Sequence, residues 1–179
     1  MKKLILGSAI LAVLGMSANA MAAPNTGTVN FTGAVSTATC DVALKDNAGG
    51  SISEVNLGTL ANTATGNGTL VSFKLVPQDQ TCLAKTSANV SWSSSTLNSV
   101  GFANAVTTGG TNAYMIMAAA NASQRGSAAS VKQGQTSFDY AVTSGGIPSF
   151  DYNVQLVKPT GTLTAGPFSA SASYVVVYK

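Results

Sequence analysis

Histidine is missing from this sequence, and only two cysteines occur in its 179 residues. Without histidine there is no Ser-His or Cys-His pair to activate a nucleophile. Two cysteines alone cannot supply a four-ligand zinc site, so no metal and no cofactor are expected. The six acids are Asp41, Asp46, Glu54, Asp79, Asp139 and Asp151. None forms a close local pair, and a glycosidase-like pair would have to be assembled by the fold. A phosphate-cradling G-x-x-x-x-G-K loop is also lacking, and the chain does not read as an enzyme. Charge is scarce, at 8% of residues. Lys45, Lys74, Lys85, Arg125, Lys132, Lys158 and Lys179 are scattered, whereas a nucleic-acid surface needs clustered cations.

Long apolar runs are lacking too, apart from Leu4 to Leu14, which is well short of the roughly 20 residues of a membrane span. Lys2 and Lys3 precede that run, and the small residues Ala18-Asn19-Ala20-Met21-Ala22-Ala23 follow it. This is the pattern of a secretory signal. Cleavage after Ala20 or Ala22 satisfies the A-x-A rule; Ala22 is favoured, making residues 1–22 the signal. Beyond it, seven basic and six acidic residues leave a net charge of +1. One domain is expected at this length. A Ser/Thr/Asn/Gly-rich surface with so few charges suits a protein buried in an assembly. In an exported chain, two cysteines read as one disulfide, Cys40–Cys82. Closing that loop would contribute roughly 3–4 kcal/mol through the unfolded chain.

What the sequence does contain is alternation. From Gly27 to Thr39 the odd positions are Gly27, Val29, Phe31, Gly33, Val35, Thr37 and Thr39, and every large apolar side chain falls among them. This predicts a strand with one buried face. The last stretch, Phe168 to Lys179, alternates again, with Phe168, Ala170, Ala172, Tyr174, Val176 and Tyr178 on one face. As the final strand it is expected to lack a neighbour on one side, an edge open to a strand from another chain. Between them, strands are predicted over Asp41–Leu44, Thr69–Val76, Asn89–Ser93, Asn112–Ala120 and Phe150–Val157, and Thr136–Val142 alternates weakly. Turn-rich segments separate them, and Gly101–Gly110 reads as irregular. Trp92, on a face with Val90, reads as core. Many short strands and no amphipathic helix predict an all-β sandwich. Arg125 and Lys132 flank a polar loop and could meet an acidic sugar through charged hydrogen bonds.

The F-x-G-x-V pattern of Phe31, Gly33 and Val35, the following Cys40, Cys82, Gly166 at the fourteenth position from the end and the penultimate Tyr178 form a combination. It resembles the major shaft subunits of chaperone–usher fimbriae, of the type 1 fimbrial protein family, and most those of thin enterobacterial fimbriae. The resemblance implies an incomplete immunoglobulin-like β-sandwich, completed by a donor strand from a neighbouring subunit or chaperone. It implies an N-terminal extension, residues 23–39, ahead of a pilin domain, residues 40–179. Gly27, Val29, Phe31, Gly33, Val35 and Thr37 would be the donor strand. Phe168, Tyr174, Val176 and Tyr178 would belong to the groove strand that meets the chaperone. Burying Val29, Phe31 and Val35 would contribute up to roughly 1.5–3 kcal/mol each. The implied partners are identical subunits, a periplasmic chaperone, an outer-membrane usher and a host glycan receptor. The implied setting is export through the periplasm to a fimbria on a Gram-negative surface, mediating adhesion to host cells. The alternative is a free-standing secreted lectin-like β-sandwich.

Overall fold

The computed structural model describes residues 26–33, as a strand, and residues 40–179. The expected signal, residues 1–22, together with residues 23–25 and 34–39, lies outside the described residues. The described strands are β1 (Thr26–Gly33), β2 (Val42–Asp46), β3 (Glu54–Thr59), β4 (Val71–Pro77), β5 (Ser87–Ser93), β6 (Tyr114–Ala119), β7 (Ser137–Ala141), β8 (Phe150–Val157) and β9 (Phe168–Tyr178). A single turn of helix, α1 (Gln80–Leu83), and a 3-10 turn, Gly126–Ala129, complete them.

The strands form two sheets, one in the order β3-β1-β9-β5-β7 and the other β2-β4-β8-β6. The second sheet is antiparallel throughout. In the first, β1 runs antiparallel to β3 but parallel to β9. The two sheets pack face to face as an immunoglobulin-like sandwich, and period-two alternation explains why. Val55, Leu57, Ala88, Val90, Trp92, Phe138, Tyr140, Phe168, Ala170 and Ala172 are buried on the first sheet. Phe73, Leu75, Met115, Met117, Phe150, Tyr152, Val154 and Leu156 are buried on the second.

Trp92 is core, as its spacing predicts. Its ring meets Tyr152 edge-on at 5.0 Å between centroids, and Tyr152 stacks on Phe73 at 5.4 Å. Such pairs contribute about 0.5–1.5 kcal/mol beyond their buried area.

The structure shifts some expected boundaries. The strand expected over Asp41–Leu44 runs from Val42 to Asp46, because its pairing with β4 continues through Asp46↔Phe73. The irregular 101–110 stretch supplies a core residue after all. Phe102 is fully buried because its N–H and carbonyl bridge to Met115 at 2.8 and 2.9 Å. The last strand is not at an edge: β9 lies between β1 and β5.

The start of β9 is pinned by one side chain. The Asn104 amide donates to the carbonyls of Thr111 and Pro167, both at 2.9 Å. Its oxygen accepts from the N–H groups of Val106 and Ser169 at 3.0 and 2.9 Å. This clamp draws the chain so close at Gly166 that a β-carbon there would lie 2.7 Å from the Gly110 carbonyl carbon and 2.8 Å from the Thr111 nitrogen. It would also run into the Gly109 carbonyl oxygen. Gly166 has φ +150° as well, so both space and conformation require glycine. Gly166→Ala should cost about 1–3 kcal/mol, since backbone yields poorly to overpacking. Thermal unfolding should register a fall of roughly 2–4 °C per kcal/mol; an unchanged melting temperature would contradict the clash.

Candidate functional site: the slot between β3 and β9

A strand needs hydrogen-bonding neighbours on both sides when it lies inside a sheet. On one side, β9 is held by β5 over Trp92↔Tyr174 to Ala88↔Tyr178. On the other, it is held by β1 over Gly27↔Phe168 to Gly33↔Tyr174. β1 also bridges to β3 through Val29↔Val55 and Asn30↔Glu54. The slot between β3 and β9 is therefore filled by the N-terminal segment of the same chain.

The register gives a size pattern. Gly27 lies beside Phe168, Val29 beside Ala170, Phe31 beside Ala172 and Gly33 beside Tyr174. Large residues of one strand fall beside small residues of the other at each step. The odd-numbered positions singled out in the sequence thus share rows with the buried face of β9. Val35 and Thr37 lie outside the described residues.

Burial along β9 follows the extent of β1. Phe168, Ala170 and Ala172, beside β1, are 2%, 1% and 3% exposed. From Tyr174, beside Gly33, the pattern opens, and Tyr174, Val176 and Tyr178 are only half-buried. Val42 and Leu44 of β2, also half-buried, pack against the same core. The Tyr174 hydroxyl donates to the Val42 carbonyl at 3.5 Å. Of the expected groove residues, Tyr174, Val176 and Tyr178 therefore gather at this open end, while Phe168 stands at the opposite end of β9 under β1. Val42 and Leu44 were missed by sequence reasoning, although the alternation V-A-L-K-D was visible.

The disulfide joins Cys40, just before β2, to Cys82 in α1, with Cα atoms 6.1 Å apart. It fixes the point from which the N-terminal segment departs. Arg125 and Lys132 both lie on the connection from β6 to β7, which is separated from β1 by β9 and β5. Arg125 is exposed and donates through Nη1 to the Gln124 carbonyl at 3.1 Å. Lys132 is half-buried and its backbone bridges to Gln135. Among the described residues no group of three or more His, Cys, Asp or Glu is arranged to hold a metal.

No family model matches the chain. The K99 fimbrial protein of Escherichia coli, however, is 37% identical to it over 187 aligned positions, covering 99% of both chains. The chain belongs to the chaperone–usher fimbrial subunit family. It is a structural fimbrial subunit.

Burial also acts on the tyrosines of the subunit. Desolvation pushes the Tyr178 phenol up to about 12 and raises Tyr174. It raises Tyr140 and Tyr152 as well. An unfolded tyrosine ionises near pH 10. The folded chain thus holds these protons more tightly, so their contribution is full below about pH 10 and is lost as pH rises. Titration at 295 nm with circular dichroism should show unfolding between about pH 10 and 12. Tyr178→Phe should move the midpoint upward. Tyrosines that all ionise near pH 10 with the fold intact would contradict this.

Proposed function

We propose that this fimbrial subunit polymerises by donor-strand exchange. The segment from Gly27 to Thr39 of one subunit enters the slot between β3 and β9 of its neighbour. The observation that carries this reading is the slot itself. Seven consecutive positions of β9 find their second neighbour in a strand from the extreme N-terminal part of the chain. Only residues 34–39 separate that strand from Cys40. Main-chain pairing supplies bonding along the slot, and a row of alternating positions supplies the fit. Before assembly a periplasmic chaperone lends the missing strand, and an outer-membrane usher then directs the exchange. The product is an extracellular fimbria on a Gram-negative bacterium that adheres to host cells. The exposed Arg125 and the neighbouring Lys132 are the residues proposed to meet a host glycan.

The test is Gly33→Asn. On this reading a polar, branched side chain enters the neighbour's slot, where it both overpacks and carries an amide out of water, at roughly 1–3 kcal/mol for each effect. When the chaperone fills the slot, the N-terminal segment is not needed in its own subunit. The variant should therefore accumulate normally as a chaperone complex and yield no fibres by electron microscopy. Normal fibres would refute the reading, as would loss of the chaperone-bound subunit together with the fibres.

A further inference from the structure

Among the described residues, the outermost strand β7 of the first sheet has β5 on one side and no strand on the other. We propose that the β7 edge is a strand-pairing surface for a second copy of this chain, and that the Gln124 side chain closes it. The β5 and β9 strands separate this edge from the slot beside β3, so its closure does not depend on strand exchange there.

Three hydrogen bonds make the closure, all at the centre of β7. The Asp139 N–H donates to Gln124 Oε1 at 3.0 Å. The Ser123 N–H donates to the Asp139 carbonyl at 2.6 Å. The Gln124 side-chain nitrogen donates to Asp139 Oδ2 at 3.2 Å. Asp139 lies opposite Asn89 of β5, yet both of its main-chain groups bond to residues 123 and 124, so they point to the open side. A carboxamide carries an acceptor and donors, and here it stands where the peptide group of an added strand would be. The Asn89 amide holds the other carboxylate oxygen of Asp139 at 2.9 Å. Asn89 and Gln124 together keep the Asp139 carboxyl below the usual carboxylate range, so the Gln124 anchor is a charge-assisted bond at neutral pH. The same segment is fixed to the second sheet. Asn121 Oδ1 accepts from the Asp151 N–H at 2.8 Å, and its Nδ2 donates to the Ser149 carbonyl at 3.0 Å. Ala122, between the two amides, is fully buried.

An open edge readily joins a second one, and charge does little to prevent it in a chain with 8% charged residues. Asp139 is the one charged residue of β7. Two identical edges pair about a two-fold axis. Centred on Asp139, that pairing sets two carboxylates opposite each other, an unfavourable like-charge contact. Gln124 therefore supplies the main-chain block and Asp139 the repulsion. The β6 edge is closed differently, by main chain. Phe102 exchanges bonds with Met115, and the Val131 N–H donates to the Met117 carbonyl at 2.8 Å. At β7 a side chain meets the middle of the ladder, and a single substitution removes it.

The experiment uses the full chain without its expected signal, residues 23–179, isolated as a monomer. Hydrogen exchange at the Asp139 amide should be slow in the unaltered chain and roughly three- to tenfold faster in Gln124→Ala. Gln124→Ala/Asp139→Asn also removes the repulsion with an isosteric side chain. It should form dimers at concentrations where the unaltered chain sediments as a monomer. On dimerisation, exchange over Ser137–Ala141 should slow again while that of β9 is unchanged. An Asp139 amide that exchanges freely in the unaltered chain, or at the same rate in Gln124→Ala, would overturn the closure. A double variant that stays monomeric with that amide open would overturn the pairing surface. So would association that protects β9 and leaves β7 exchanging.

Discussion

The structure depends on the hydrogen-bonding side of β9 that residues 40–179 leave to β1. This strand crosses the middle of the first sheet and carries Phe168, Ala170 and Ala172 into the core. If the slot beside it were empty, β9 and β3 would each present a row of unpaired N–H and carbonyl groups, and the apolar row beneath would meet water. Neither condition is tolerated cheaply. The sandwich therefore needs one more strand than residues 40–179 provide. Seated in cis, β1 supplies it; in a fibre the neighbour would.

The remainder of the molecule is tied together independently of β1. The second sheet is antiparallel throughout and is built on long, clean pairings such as β6 with β8 and β4 with β8. The cluster of Trp92, Phe73, Tyr152, Tyr140 and Phe150 joins the two sheets. The disulfide fastens the chain just after the N-terminal segment. The sparse charge is consistent with this: a surface of Ser, Thr and Asn presents little repulsion between identical copies packed along a fibre.

Much of this was legible in the sequence because strand alternation is strong where both layers are buried. Phe150, Tyr152, Val154 and Leu156 alternate with polar residues, and all four are buried. Val90 with Trp92, and Phe73 with Leu75, behave in the same way. The weakly alternating 136–142 stretch still proved to be a strand, with Phe138 and Tyr140 buried. Other features were hidden for physical reasons. The partner of β9 is far away in sequence and runs parallel to it, and alternation on one strand does not reveal which strand lies beside it. The burial of Phe102 comes from backbone bridges to Met115, which no side-chain period records. Val42 and Leu44 line the open end of the slot from the opposite sheet, a relation that exists only once the two layers meet. Arg125 and Lys132 lie on the connection from β6 to β7, where the sequence could not show that the Lys132 backbone is tied to Gln135.

The most direct test of strand exchange is the structure of the assembled fibre by electron cryomicroscopy. Residues 27–33 of one subunit should lie between β3 and β9 of the next, with continuous backbone density crossing from subunit to subunit before Cys40. Fibres in which each subunit keeps its own N-terminal strand in its own slot would contradict it.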